Sequence, residues 1–282
     1  LGVAAAAVPG VVPGRIVVTA SGLEAQLVAG ASPPLRDGAG ELPQPVRSLP
    51  LAVDSSALPP GTLLGGDVVL PVGYRFDDDR VSMLHVPDGE HVLVIGPARS
   101  GRSTVLRRIV QAWRQAHPDG WWRAVAPRRS GIQLDDGHRS LVDVIADVPI
   151  DGPVLIVVDD AELVDDVDGR LTMLAASRRH GLLIACAGKP DSLRHTYGHW
   201  STVIRRSRLG IVTSAASDLD GDLLGATLPR RIPIAARTGL SWVVADGSAV
   251  LTQIAVDPAF KPAERLTKCK SWPSSSSSMA SR

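Results

Sequence analysis

The residues Gly96, Pro97, Ala98, Arg99, Ser100, Gly101, Arg102 and Ser103, followed by Thr104, have the glycine spacing of a phosphate-binding loop. Glycine at both ends lets backbone N–H groups turn inward around phosphate oxygens, and a helix that starts there presents its positive end to the same charge. ATP is the expected ligand. Ser103 is placed to ligate Mg²⁺ and Thr104 to hold the helix start. Arg102 stands where the motif has lysine. Lysine puts a compact charge between the terminal phosphates, whereas guanidinium is broad, planar and suited to bidentate contacts, so the exchange bears on hydrolysis more than on binding. The bland alternative is a strand-to-helix turn that contains glycine and holds no ligand.

An acidic element follows in VLIVVDDAELVDD, where an apolar strand runs into Asp159 and Asp160. In this arrangement the first carboxylate, Asp159, belongs to the metal, and the second, Asp160, is the catalytic group that polarises the attacking water. Glutamate is usual at the second place, Asp160 is one methylene shorter, and Glu162 is a possible substitute. The alternative is a solvated acidic loop of Asp159, Asp160, Asp165, Asp166 and Asp168 with a helix N-cap. Lys189 could sense a terminal phosphate or be a surface lysine. Arg205, Arg206 and Arg208 could reach another module's nucleotide or form internal ion pairs. His195 and His199 are the one i, i+4 histidine pair, without cysteine or acidic ligands at fixed offsets, which argues against zinc. Trp121 and Trp122 could stack on bases, but beside Ala124 and Val125 they fit a core strand better.

The elements that must hold these groups are visible as patterns. HVLVI at 91–95, VLIVV at 154–158 and LLIACA at 182–187 are unbroken apolar runs, as parallel strands covered on both faces require. Val105, Leu106, Ile109, Val110 and Trp113 recur at helical spacing after the loop, with Pro118 and Gly120 as the stop. Leu171, Leu174 and Ala175 form a weaker helix. Alternation of strand and helix predicts an α/β fold with a mainly parallel sheet flanked by helices. Hairpins are expected in PGRIVVTASGLEAQLV and in TGLSWVVADGSAVLTQIAV, the latter turning at Asp246 and Gly247. Their likeness suggests tandem modules. The expected organisation is 1–30 as the end of a preceding module, 31–64 as a Pro/Gly-rich linker, 65–257 as the main module and 258–282 as a disordered Ser-rich tail. Three of the four lysines, Lys261, Lys268 and Lys270, lie in that tail beside Ser274–Ser278.

Composition narrows the classes. The 30 basic residues against 29 acidic ones leave a net charge of +1, which does not point to nucleic acid, although a local basic groove is compatible with it. Cys186 in an apolar run and Cys269 in the tail suit a reducing compartment, so cytosolic placement is the default. The opening LGVAAAAVPGVVPGRIVV is broken by proline and glycine and reads as neither signal peptide nor membrane span. The first residue is Leu1 rather than Met, and membrane contact is expected only through other parts of a longer chain.

With these pieces in order, GEHVLVIGPARSGRSTVLRRIV, VLIVVDDAELV, GLLIACAGKPDSLRHTYGHWSTVIRRSRLGIVTS, DLDGDLLGATLPRR and TGLSWVVADGSAVLTQIAV, the chain resembles the FtsK/SpoIIIE family of RecA-like motor ATPases over residues 65–257. The resemblance implies a RecA-like core, ATP with Mg²⁺, a ring that is hexameric in the family, and ATP-driven movement of a polymer. DNA is the cargo of the DNA translocases; the related type VII secretion ATPases export proteins and carry three modules in one chain, the later ones often degenerate. Gly96, Gly101, Ser103 and Thr104 match phosphate-binding positions and Asp159 the magnesium-linked acid, while Arg102 and Asp160 depart from the active pattern. The expected function is a late ATP-binding module that hydrolyses weakly, with a protein cargo slightly favoured. A DNA translocase and a nucleotide-free docking domain are the alternatives.

Overall fold

A computed structural model describes residues 3–4, 15–18, 23–26, 50–127, 140–196, 198–215, 217–229, 234 and 237–257. Three short strands, β1 (Val3–Ala4), β2 (Arg15–Val18) and β3 (Leu23–Gln26), form an antiparallel sheet of their own. The main body follows with β4 (Val53–Asp54), β5 (Thr62–Leu64), β6 (Asp67–Arg75), β7 (Val81–Val86), β8 (Val92–Ile95), α1 (Arg102–Ala116), β9 (Trp121–Val125), α2 (Leu141–Ala146), β10 (Val154–Val158) and α3 (Arg170–Ala176). It continues through β11 (Leu182–Gly188), α4 (Pro190–His195), α5 (Ser201–Arg205), β12 (Leu209–Thr213), β13 (Leu240–Ala245) and β14 (Ser248–Val256). The expected tail, with Cys269 and the serine run, lies outside the described residues, as does most of the expected linker.

The sheet is mixed rather than mainly parallel. Its 11 strands include a parallel half in the order β12-β8-β11-β10-β9, continued by β13, β14, β6 and β5, which pair antiparallel. Within the antiparallel half, β5–β6, β6–β7 and β13–β14 are joined by short turns instead of crossover helices. Asp246 and Gly247 form such a turn, both with φ in the left-handed region, and Ala245 faces Ser248 across it. Within the expected linker, Val53–Asp54 pairs with β14, Thr62–Leu64 pairs with β6, and Val53 and Leu58 bury against Ala255. Proline and glycine density marks backbone irregularity there, and the few apolar side chains between them are enough to attach it.

The parallel strands are apolar throughout because both faces are covered. Leu93, Ile95, Ile156, Val158, Ile184 and Cys186 face a layer containing Leu141, Leu171, Leu193 and Ile204 from the four shorter helices and Trp200 just before α5. Val92, Val94, Leu155, Val157, Leu183 and Ala185 face α1 through Leu106, Ile109 and Trp113, together with Leu70 and Leu84. Among the described residues no helix is long and apolar enough to cross a membrane.

Candidate nucleotide site

The loop from Gly96 to Gly101 joins the end of β8 to the start of α1 at the carboxyl edge of the parallel strands, where open α/β sheets bind ligands. Its first residue has no room for a side chain. A Cβ on Gly96 would lie 2.0 Å from Thr213 Oγ1 and 2.6 Å from Ser100 Oγ. Those two hydroxyls are hydrogen bonded at 2.5 Å, and Thr213 also donates to the Ile95 carbonyl at 3.2 Å, so the end of β12 ties the loop to its strand. The other end of the loop needs glycine for a different reason. Gly101 has φ of 98° and caps α1 without a side-chain hydrogen bond, so the cap supplies no side-chain acceptor to the first turn. A compact backbone cradle and a helix N-terminus without a side-chain cap fit a phosphate chain.

Facing this cradle is the edge of β10. Asp159 is buried, its N–H donates to the Val125 carbonyl at 3.0 Å, and its Oδ2 accepts from Ser103 Oγ at 2.8 Å. A serine hydroxyl and a carboxylate side by side are the hard oxygen donors Mg²⁺ takes, and these two residues would hold it. The structure thus brings together the loop and Asp159, which the sequence keeps far apart.

The Arg102 side chain is committed to protein partners. It is buried, one terminal nitrogen donating to Asp160 Oδ1 at 2.6 Å, the other reaching the Gly96 carbonyl at 3.4 Å and Glu162 Oε1 at 3.8 Å. Asp160 adopts a left-handed backbone, φ 47°, at the start of the 3-10 turn Ala161–Leu163. Burial and the neighbouring Asp159 carboxylate raise the Asp160 pKa, against the opposing pull of Arg102. Glu162 also receives the Lys189 N–H at 3.2 Å, with the Lys189 ammonium 3.8 Å from Oε1. Lys189 is therefore part of the cluster rather than a lone surface charge. The burial of Glu162 and the contact of Thr213 with the loop were not legible locally. Thr213 ends the apolar run LGIVT, and recognising that run as a strand beside β8 would have found it.

Other expected groups lie elsewhere. Arg205 turns inward to the Leu193 carbonyl and Ser201, whereas Arg206 and Arg208 are exposed. His199 bonds Ser201 at 2.8 Å and His195 lies in α4. Trp121 and Trp122 are half-buried on the edge strand β9, with the Arg123 and Arg114 guanidinium groups 5.2 and 5.7 Å from their respective ring centres.

No protein-family model matches the chain, and no curated protein matches it significantly. Solved structures do. The cytoplasmic domain of the Thermomonospora curvata type VII secretion ATPase EccC aligns at a TM-score of 0.56 and 24% identity, over 75% of this chain and 29% of that one. The cytoplasmic domain of EssC aligns at 0.59 and 16%, over 76% and 49%. ATPases 2 and 3 of Thermomonospora curvata EccC, solved with a signal sequence peptide, align at 0.54 and 22%, over 75% and 44%. At these identities the likeness is one of fold, and the chain spans less than half the length of each of the three.

Proposed function

We propose that residues 65–257 are an ATP–Mg²⁺-binding module of a multi-module motor ATPase of the type VII secretion kind, a late module that binds ATP and hydrolyses it poorly. The observation that carries this reading is the Ser103–Asp159 hydrogen bond, which brings the phosphate loop and the magnesium-linked acid into one site. The backbone of Gly96–Thr104 would hold the phosphates, and Ser103 with Asp159 would hold Mg²⁺, which supplies charge neutralisation between phosphate oxygens. Poor hydrolysis follows from Arg102. Its guanidinium is satisfied by Asp160, so the cation at the lysine position is held by the protein instead of acting on substrate.

In the larger assembly, residues 1–30 are the end of a preceding module and the working site is a ring, hexameric by family resemblance, on the cytosolic face of a membrane-associated machine. A protein cargo is favoured over DNA because basic and acidic residues nearly cancel. Titration with labelled ATP tests the central claim: saturable binding is expected, weakened by Gly101→Val and by Ser103→Ala. Equal, weak binding by all three proteins overturns it, and tight salt-resistant binding of duplex DNA restores the DNA translocase.

A further inference from the structure

Three carboxylates face the phosphate loop, and they are not equivalent. Asp159 is taken by the Ser103 hydroxyl and Asp160 by the Arg102 guanidinium. Glu162 differs. Its side chain is 5% exposed, and its Oε1 accepts no hydrogen bond, the nearest cations being Arg102 and Lys189 at 3.8 Å. A buried carboxylate oxygen left without a donor is costly unless another group completes it.

Its place in the fold points to that group. Strand β11 lies between β8, which feeds the loop, and β10, which ends in the acids. At the tip of β11, Gly188 accepts from the Gly96 N–H at 3.4 Å, so this tip touches the first residue of the loop. Gly188 has no side chain, and a Cβ there would lie 2.9 Å from Glu162 Oε2 and 2.8 Å from Leu193 Cδ1, so Glu162 would have to shift to admit one. Glu162 therefore occupies the space beside the tip of the central strand, anchored through Oε2 by the Lys189 N–H and leaving Oε1 toward the loop's cation.

We infer that Glu162, and not Asp160, is the carboxylate that reads the terminal phosphate of bound ATP and positions the attacking water. The inference rests on the proposed ATP binding. In the step it serves, the water oxygen bonds to the γ-phosphorus as the bond from phosphorus to the β–γ bridging oxygen breaks. The electron pair of the broken bond leaves with ADP, and the water proton passes to Glu162. Asp160 instead holds Arg102, acting on the nucleotide only through that guanidinium.

The test compares Glu162→Gln with Asp160→Asn, each as the full chain, by melting temperature, by affinity for ATP and for ADP with Mg²⁺, and by phosphate release. Glu162→Gln removes a negative charge beside the terminal phosphate, so the preference for ATP over ADP rises by about three- to tenfold. Any turnover of the parent falls by about a hundredfold. Asp160→Asn shifts both affinities together and leaves their ratio within about twofold, the scatter expected of a residue that acts through Arg102 alone. If Glu162→Gln does not fold, Glu162→Asp takes its place; it withdraws the carboxylate by one methylene and raises the same ratio. An unchanged ratio in a folded, ATP-binding Glu162 variant overturns the inference and leaves the ATP site standing. So does a ratio that moves with Asp160→Asn instead. Absence of ATP binding in the parent overturns the site itself.

Discussion

The Arg102 guanidinium lies 2.6 Å from Asp160 Oδ1, an ion pair that joins the first turn of α1 to the acid edge of β10. Arg102 is almost wholly buried and Asp160 mostly so, so neither charge is free to leave without a replacement partner. Bound phosphate is such a partner for the arginine, but it leaves the aspartate uncompensated.

Arg102→Lys shortens the reach to Asp160 and concentrates the charge. Turnover of ATP should rise about tenfold, equivalent to about 1.4 kcal/mol of transition-state stabilisation, while ATP affinity changes far less. Phosphate release by the assembled protein, alongside an ATP titration, checks both halves. Equal turnover in parent and variant would mean that arginine serves as well as lysine.

Gly96→Ala places a methyl 2.0 Å from Thr213 Oγ1, where the backbone of β12 blocks retreat. The loop must move, and ATP affinity should fall by about tenfold or more, the effect of a 1 to 3 kcal/mol overpacking strain at the site. Thr213→Ala should cost less, because it removes one hydroxyl with its two hydrogen bonds and adds nothing. Isothermal titration with ATP distinguishes the two.

Trp113 is fully buried between α1 and the sheet, whereas Met173 on α3 is mostly exposed. Trp113→Ala should destabilise the fold by about 3 to 5 kcal/mol and Met173→Ala by about 0.5 kcal/mol or less. Urea unfolding of both measures the contrast.

His91 is buried, with Nε2 2.9 Å from the Ala175 carbonyl and Nδ1 3.4 Å from the Ile184 N–H, which describes a neutral ring donating to one and accepting from the other. Burial lowers its pKa below the ordinary 6.5. Above that value the folded and unfolded rings are both neutral; as pH falls below it, the unfolded chain takes up a proton first, and stability declines until the folded ring also titrates. His117 and His199 are lowered by burial in the same way, so His91→Gln should flatten only part of the decline. Melting temperatures between pH 8 and about pH 5 give the slope.

Cys186 is fully buried in β11, and burial pushes its thiol up to about 12. In a Cys269→Ser background, a thiolate-directed alkylating reagent at neutral pH should label the native protein negligibly and label it fully in denaturant. Rapid native labelling would mean that β11 opens readily.

Sequence by itself determined what is local or periodic. The loop from Gly96 to Ser103 was legible because glycine spacing and a preceding apolar strand are contiguous in the chain, and HVLVI, VLIVV and LLIACA were legible because strands covered on both faces need apolar residues at every position. The hairpin turn at Asp246–Gly247 was legible for the same reason of locality. What depends on which strands become neighbours was decided by tertiary structure. An apolar run does not specify the direction of its partner, so the antiparallel pairings of β13 with β12 and of β6 with β14 could not be read from LSWVV or VVLPV. Likewise, the letters DDAEL do not say which carboxylate meets a cation. The left-handed turn at Asp160 aims that side chain at Arg102, and the missing side chain of Gly188 opens the space Glu162 fills, contacts set by backbone direction across three strands rather than by spacing along one.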